Sequence, residues 1–231
     1  MGNFDHVESW VFDLDNTLYP PSCRLFDQVD ERMGSFIANL LGVDRAEAKR
    51  VQKKYFHEHG TTLRGLMVEH QVNPDEFLDY VHDIDHSPVA ENRALGQPLE
   101  ALPGRKVIFT IGTVAHAESV MKRLGVDHLF DGIFDIVHSD FLPKPQRAPY
   151  EKFMAAMRVE PSRAAMFEDI ARNLEVPHAL GMVTVLVTSP DNHDGNLINE
   201  LSGGIAHAHV QHVTDDLAGF LEKIAAERGR T

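Results

Sequence analysis

Cysteine is almost absent: Cys23 is the only one among 231 residues, so no intrachain disulfide can form and thiol-pair chemistry is excluded. Basic residues are also scarce, with 22 Lys and Arg against 35 Asp and Glu, a formal net charge of -13. That balance argues against nucleic acid or an anionic membrane as the main partner, since both repel an acidic surface. Long hydrophobic runs are missing. No apolar stretch approaches the roughly 18 residues of a membrane span, and Met1-Gly2-Asn3-Phe4-Asp5 lacks a basic segment followed by an apolar core. A soluble, cytoplasmic protein with no nucleic-acid or membrane partner is expected. Repeats, low-complexity tracts and long charge runs are lacking too, and residues 191–196 read as a polar loop. An acidic chain that acts on an anion must gather positive charge locally, from a metal ion, a lysine or helix N-termini.

What is present is enough for one large domain, or for a core with a small accessory domain. The apolar run Ser9-Trp10-Val11-Phe12 reads as a buried strand. After Pro20-Pro21 the period changes, and Leu25, Phe26, Val29, Met33, Phe36, Ile37, Leu40 and Leu41 mark one face of a helix. Ser22 is its expected N-cap and Gly42 its stop. Asp44 with Glu47 resembles a capping box for a second helix that ends at Gly60. A third helix is expected from Leu63 to His70 and a fourth from Pro74. Beyond Pro98 the pattern alternates. Strands are expected at Lys106–Phe109, Ile133–Val137, Ala164–Phe167, Thr184–Val187 and residues 205–210. Helices are expected at Ala115–Leu124, Pro149–Met157, Asn173–Leu180 and Thr214–Ile224. Such alternation implies a parallel sheet covered by helices on both faces. The fold class is therefore α/β, a Rossmann-like doubly wound sheet formed by residues 1–21 and 97–231. Residues 22–96 form an inserted all-helical cap.

The chemistry gathers at expected strand ends, where open α/β sheets place their ligand crevices. Asp13 and Asp15, one residue apart after the first strand, project from the same face. Two carboxylates so close raise each other's pKa unless a cation lies between them, and a hard ion such as Mg²⁺ takes oxygen ligands. Thr110-Ile111-Gly112, just before a helix, offers a hydroxyl and backbone N–H groups to a phosphate. Lys144 lies between two prolines that stiffen its loop. Glu168-Asp169, with Asn173 beyond, can complete a cation site. His207, His209 and His212 share one segment, but no paired carboxylate lies nearby and a metal site is not expected there. Trp10 reads as a core aromatic. Tyr19 either lines the pocket or packs beneath the cap.

In this order and spacing, Asp13-x-Asp15-x-Thr17, Thr110, Lys144 and Glu168-Asp169 with Asn173 resemble the four signatures of the haloacid dehalogenase superfamily. Asn16–Pro20, Gly60–Leu66, Tyr80–Asp85 and Phe167–Leu174 resemble its pyrimidine 5′-nucleotidase branch. The resemblance implies a phosphomonoester hydrolase. Asp13 would be the nucleophile that forms an aspartyl-phosphate, and Asp15 the general acid and base. Mg²⁺ would be held by Asp13, the backbone carbonyl of Asp15 and Asp169, with Glu168 bound directly or through water. Thr110 and the Ile111 N–H would grip phosphoryl oxygens, and Lys144 would offset the repulsion between Asp13 and the dianion. The partner is a small phosphate ester, a nucleoside monophosphate in the first instance, and the chain is a monomer or homodimer. A phosphosugar or pyridoxal-phosphate phosphatase is the enzymatic alternative. A weakened ligand-binding or scaffold protein is the other, because Ile111 stands where the branch usually has Asn.

Overall fold

The computed structural model describes residues 4–189 and 208–229. Six strands form one sheet: β1 Ser9–Phe12, β2 Arg105–Phe109, β3 Gly132–Phe134, β4 Ala164–Glu168, β5 Val183–Val187 and β6 His212–Thr214. Their order is β3-β2-β1-β4-β5-β6, and every neighbouring pair is parallel. Every residue of β1 is buried, as a strand covered on both faces requires.

Alternation along the strands sorts the core into two layers. Trp10, Phe12, Ile108 and Phe167 pack with residues of α5 (Arg93–Ala101), α6 (Val114–Leu124) and α9 (Leu217–Arg228). Val11, Val107, Phe109 and Met166 face the other way, onto α7 (Arg147–Met157) and the turn before α8 (Glu175–Ala179). Trp10 is buried as expected, and its Nε1 donates to Pro103 O at 2.8 Å.

Between β1 and α5 the chain makes four helices, α1 Leu25–Leu41, α2 Arg45–His59, α3 Thr62–His70 and α4 Pro74–His82. They build a separate apolar cluster that includes Val29, Ile37, Leu66 and Phe77, and Ile136 from the loop after β3 plugs into it. Asp44 caps α2 by accepting from the Glu47 N–H at 2.8 Å. The Glu47 carboxylate turns instead to Arg50, so only half of the capping box forms. Ser22 is not the cap of α1. A short 3-10 turn, Pro21–Cys23, intervenes, and Arg24 takes the N-cap position at φ 52°.

Three further expectations shift. β3 stops at Phe134 because the Asp135 carboxylate accepts from the Val114 and His138 N–H groups, which turns the chain out of the sheet. Residues 173–180 are a 3-10 turn, Ala171–Leu174, followed by α8, since Asn173 is drawn inward. The last strand is β6 rather than residues 205–210; residues 205–207 and the polar loop lie outside the described residues. His209 and Gln211 are instead held against β5 by the Thr184 hydroxyl and N–H. Ladder pairing begins only at His212. No described helix is long and apolar enough to cross a membrane.

Gly65 sets how closely α2 and α3 approach, because a Cβ there would overlap Cβ and Cγ of Tyr55. Gly65→Ala should therefore push the two helices apart and cost about 1–3 kcal/mol, read as a lower urea midpoint. An unchanged midpoint would mean that the helix pair separates freely.

Candidate active site

The Asp13 N–H still donates to Phe167 O at 2.9 Å, and then the chain turns. Leu14 is buried, and its carbonyl accepts from the Thr17 and Leu18 N–H groups at 3.3 and 3.0 Å. Asn16 takes the left-handed conformation at φ 60°, which Asn adopts more readily than most residues. β2 and β4 flank β1, so Thr110 and Glu168-Asp169 reach the same end of the sheet. Lys144 arrives from the loop between β3 and α7.

Lys144 is the hub. Its Nζ donates to Asp13 Oδ1 at 2.7 Å, to Glu168 Oε1 at 2.6 Å and to Phe109 O at 3.2 Å, which uses all three ammonium hydrogens. Burial opposes its charge, but Asp13 and Glu168 outweigh burial and hold Lys144 above its ordinary range. Glu168 is nearly inaccessible, at 1% exposed. It also accepts from Asn173 Nδ2 at 2.7 Å and from the Ile170 N–H at 2.8 Å. Thr17 Oγ1 donates to Asp13 Oδ2 at 3.3 Å.

One ammonium does not satisfy these acids. Burial pushes the Asp13 carboxyl up to about 7, with Lys144 opposing and Glu168 and Asp15 adding to the rise. Asp169 is raised well above its ordinary range by burial, then by Glu168 and Asp13. Asp13, Glu168 and Asp169 each bring a ligand oxygen to a common site, all within 4.8 Å of one another. This hard-oxygen set with uncompensated charge fits a divalent cation such as Mg²⁺.

The Asp15 carboxylate lies outside that group. Its Oδ1 accepts from Tyr19 OH at 2.6 Å and from His116 Nε2 at 2.8 Å. Only its backbone carbonyl is left for the metal role expected of it. Burial opposes its ionisation, but His116 and then Tyr19 outweigh burial and bring Asp15 down to about 2. Burial opposes the His116 charge as well, yet Asp15 keeps its imidazole above the ordinary range. His82 and His86 flank the His116 ring, with centroids 4.9 and 5.3 Å away. Burial and the neighbouring His116 pull His82 down to about 4. None of these histidines stood out in the sequence. The one signal was position: His116 is three residues after Thr113, in the first turn of a helix that follows a strand end. Tyr19 is both buried and bonded to a site acid.

The phosphate loop is narrower than its sequence implied. The Thr110 N–H is taken by Phe134 O at 3.0 Å, and the Gly112 N–H by Thr110 Oγ1 at 2.9 Å. Among the described residues nothing accepts from the Ile111 N–H or the Thr110 hydroxyl hydrogen, which leaves both to donate. The Ile111 side chain is 38% exposed. A Cβ on Gly112 would lie 3.1 Å from the His116 ring, 3.4 Å from Thr110 Oγ1 and 3.7 Å from Asp15 Oδ2.

Residues 10–181 match the family model described as haloacid dehalogenase-like hydrolase. Phosphate metabolism protein 8 of Saccharomyces cerevisiae is 29% identical over 195 residues, 77% of this chain. The match spans 60% of that yeast protein's length. Among solved structures, a phosphatase of the same superfamily from Thermococcus onnurineus superposes with a TM-score of 0.63 at 16% identity, covering 94% of this chain and 97% of that one. The L-2-haloacid dehalogenase of Xanthobacter autotrophicus, with chloropropionic acid covalently bound, gives 0.56 at 14% identity, covering 94% and 98%. Both are likenesses of fold and do not separate the two chemistries.

The buried histidine supplies a stability test. His82 moves from 6.5 to about 4, so across that window the unfolded chain binds a proton that the folded chain excludes. Stability then falls as the pH falls, by about 1.4 kcal/mol per unit for this group. Urea midpoints taken from pH 7 to 4 should drop more steeply for the wild type than for His82→Gln. Parallel curves would remove His82 from the account.

Proposed function

The chain belongs to the haloacid dehalogenase-like hydrolases, and we propose that it is a Mg²⁺-dependent phosphomonoesterase acting through an aspartyl-phosphate on Asp13. Pyrimidine nucleoside 5′-monophosphates are the proposed substrate class. The observation that carries the reaction is the division of labour among the acids. Asp13 is paired with a buried ammonium beside two more carboxylates, whereas Asp15 is held separately by Tyr19 and His116.

In the first step an Asp13 carboxylate oxygen attacks phosphorus, an O–P bond forms, and the bond to the ester oxygen breaks. Asp15 protonates that oxygen as it leaves. At neutral pH Asp15 rests ionised, so it takes up the proton it delivers from solvent before the ester bond breaks, while Tyr19 and His116 hold its carboxylate in place. In the second step water attacks phosphorus and gives its proton to Asp15, which releases inorganic phosphate and restores Asp13. The Thr110 hydroxyl and Ile111 N–H bind the phosphoryl oxygens, and Lys144 offsets their charge. Asp13, Asp169 and the Asp15 backbone carbonyl would hold Mg²⁺. Glu168, whose oxygens are engaged by Lys144, Asn173 and Ile170, would take part directly or through water. When bound, the ion adds positive charge beside the nucleophile, and catalysis is mainly positioning and charge compensation.

The nucleotide assignment rests on the resemblance of Gly60–Leu66, Tyr80–Asp85 and Phe167–Leu174 to the nucleotidase branch. The yeast relative's name, which refers to phosphate metabolism, agrees with a phosphate ester. Phosphate release should be measured over a panel containing pyrimidine and purine nucleotides, sugar phosphates and pyridoxal phosphate. Pyrimidine nucleotides are expected to rank first by kcat/KM, and the loss of activity in EDTA is expected to reverse with Mg²⁺. Asp13→Asn should abolish turnover while the fold stays intact. If that variant kept more than about a tenth of wild-type activity, the covalent role would be wrong.

Ile111 bears on how active the enzyme is. Its side chain is partly exposed beside the two free phosphate donors, so an amide there costs little burial. Ile111→Asn should raise kcat/KM for a nucleotide about ten-fold and leave the melting temperature unchanged. Lower stability with no kinetic gain would mean that the residue only packs.

A further inference from the structure

We infer that His116 is a positioning residue that presents one oxygen of Asp15 to the leaving group, and that the cap side of the molecule steadies it through His86. The inference rests on the phosphatase reading above and adds the group that decides which Asp15 oxygen is used. A carboxylate oxygen has about two lone-pair sites. Oδ1 fills both, accepting from Tyr19 OH at 2.6 Å and from His116 Nε2 at 2.8 Å. Oδ2 has no hydrogen-bond donor among the described residues. It faces the gap kept open by Gly112, where a Cβ would sit 3.7 Å from Oδ2 and 3.4 Å from Thr110 Oγ1. Oδ2 therefore borders the same gap as the Thr110 hydroxyl proposed to hold the phosphate. Turning the carboxylate to exchange its oxygens would break both Oδ1 bonds at once.

The imidazole is itself held from several directions. Thr113 Oγ1 accepts from the His116 N–H at 3.2 Å, and Asp135 Oδ2 accepts from the Val114 N–H at 3.0 Å, which pins the first turn of α6. The His116 ring is buried. Its Nδ1 lies 3.1 Å from His86 Nε2, so a hydrogen bond to a second ring holds the side of the imidazole away from Asp15. His82, the last residue of α4, lies against the same ring. His86 follows in the segment that leads from the cap to α5. A chain of contacts thus runs from the cap segment through His86 and His116 to the acid.

The two amides separate the two nitrogens, because Asn places its amide near Nδ1 and Gln places its amide near Nε2. kcat/KM, which reports the steps through phosphoryl transfer to Asp13, is measured for a nucleoside 5′-monophosphate and for 4-nitrophenyl phosphate. The aryl ester leaves with little need of a proton. His116→Asn should lose about ten-fold more on the nucleotide than on the aryl ester, whereas His116→Gln should keep the wild-type ratio within about three-fold. His86→Leu, at a half-exposed site, should shift the ratio in the same direction by about three-fold, and it carries the test if His116→Asn does not fold. Equal losses on both esters for His116→Asn and His86→Leu, with Asp15→Asn still selective, would reduce His116 to packing and overturn the inference. Equal losses for Asp15→Asn itself would overturn the acid role, and this inference with it.

Discussion

A single buried ammonium governs the carboxyl end of the sheet. Lys144 joins Asp13, Glu168 and the Phe109 carbonyl, and without it the acids would face one another in a region that water barely reaches. Unpaired buried charge is expensive, and breaking one partner out of a buried pair typically costs about 3–5 kcal/mol. The consequences spread outward. With Glu168 held by Lys144, Asn173 turns inward to donate to it, and the Asn173 carbonyl accepts from Tyr150 OH at 2.6 Å. Tyr150 then packs edge-on against Phe109, which stacks on Phe153 at 4.7 Å. The charge cluster and the aromatic layer beneath it are thus one continuous construction.

That construction depends on strand order. β1 lies between β2 and β4, so residues near positions 13, 110 and 168 meet although the chain between them is long. Asp13 and Lys144 are 131 residues apart. Closing loops of that size costs entropy that grows only slowly with length, which is why an insertion of four helices is tolerated between β1 and β2. The insertion is not merely tethered. Ile136, from the loop after β3, sits in the cap's apolar cluster, and Phe141 packs against it. Gly60 follows α2 at φ 86° where a Cβ would press to 2.9 Å from Pro143, one residue before Lys144. The loop that delivers the ammonium is therefore also a seat for the cap.

Much of this was legible in the residues. The α/β alternation, the helical insertion and the strand-end positions of Asp13, Thr110 and Glu168-Asp169 follow from hydrophobic period, turn residues and order along the chain. These signals are local and survive without knowledge of contacts. What stayed hidden depends on long-range pairing. The partition of Asp13 and Asp15 into two environments is such a case, because spacing makes them look like equal halves of one cation site. The His116 contact spans 101 residues and has no periodic signature, and a histidine early in a helix usually faces solvent. The short β3 and the displaced β6 escaped notice because side-chain hydrogen bonds from Asp135 and Thr184 override the strand-forming runs beside them.

The surroundings of Asp15 bear on the choice that fold likeness leaves open. A halide leaves carbon without needing a proton, so a dehalogenase has no use for a carboxylic acid poised two residues after its nucleophile. An alkoxide leaving phosphorus does need one. This chain commits a buried tyrosine and a buried histidine to a single oxygen of Asp15, together with the two histidines that crowd the second imidazole nitrogen and ring face. Burying the His116 imidazole and partly covering His82 and His86 beside it costs solvation that apolar packing would have avoided. Such a group makes physical sense where the proton inventory and orientation of Asp15 matter to the reaction. It would be a liability in a site that only had to bind an anion, because Lys144 already supplies attraction and the acidic group beside it fits a divalent ion. The polar network behind Asp15 therefore weighs toward hydrolysis of an ester with a poor leaving group, and against both the halide chemistry of its structural neighbours and a purely ligand-binding role.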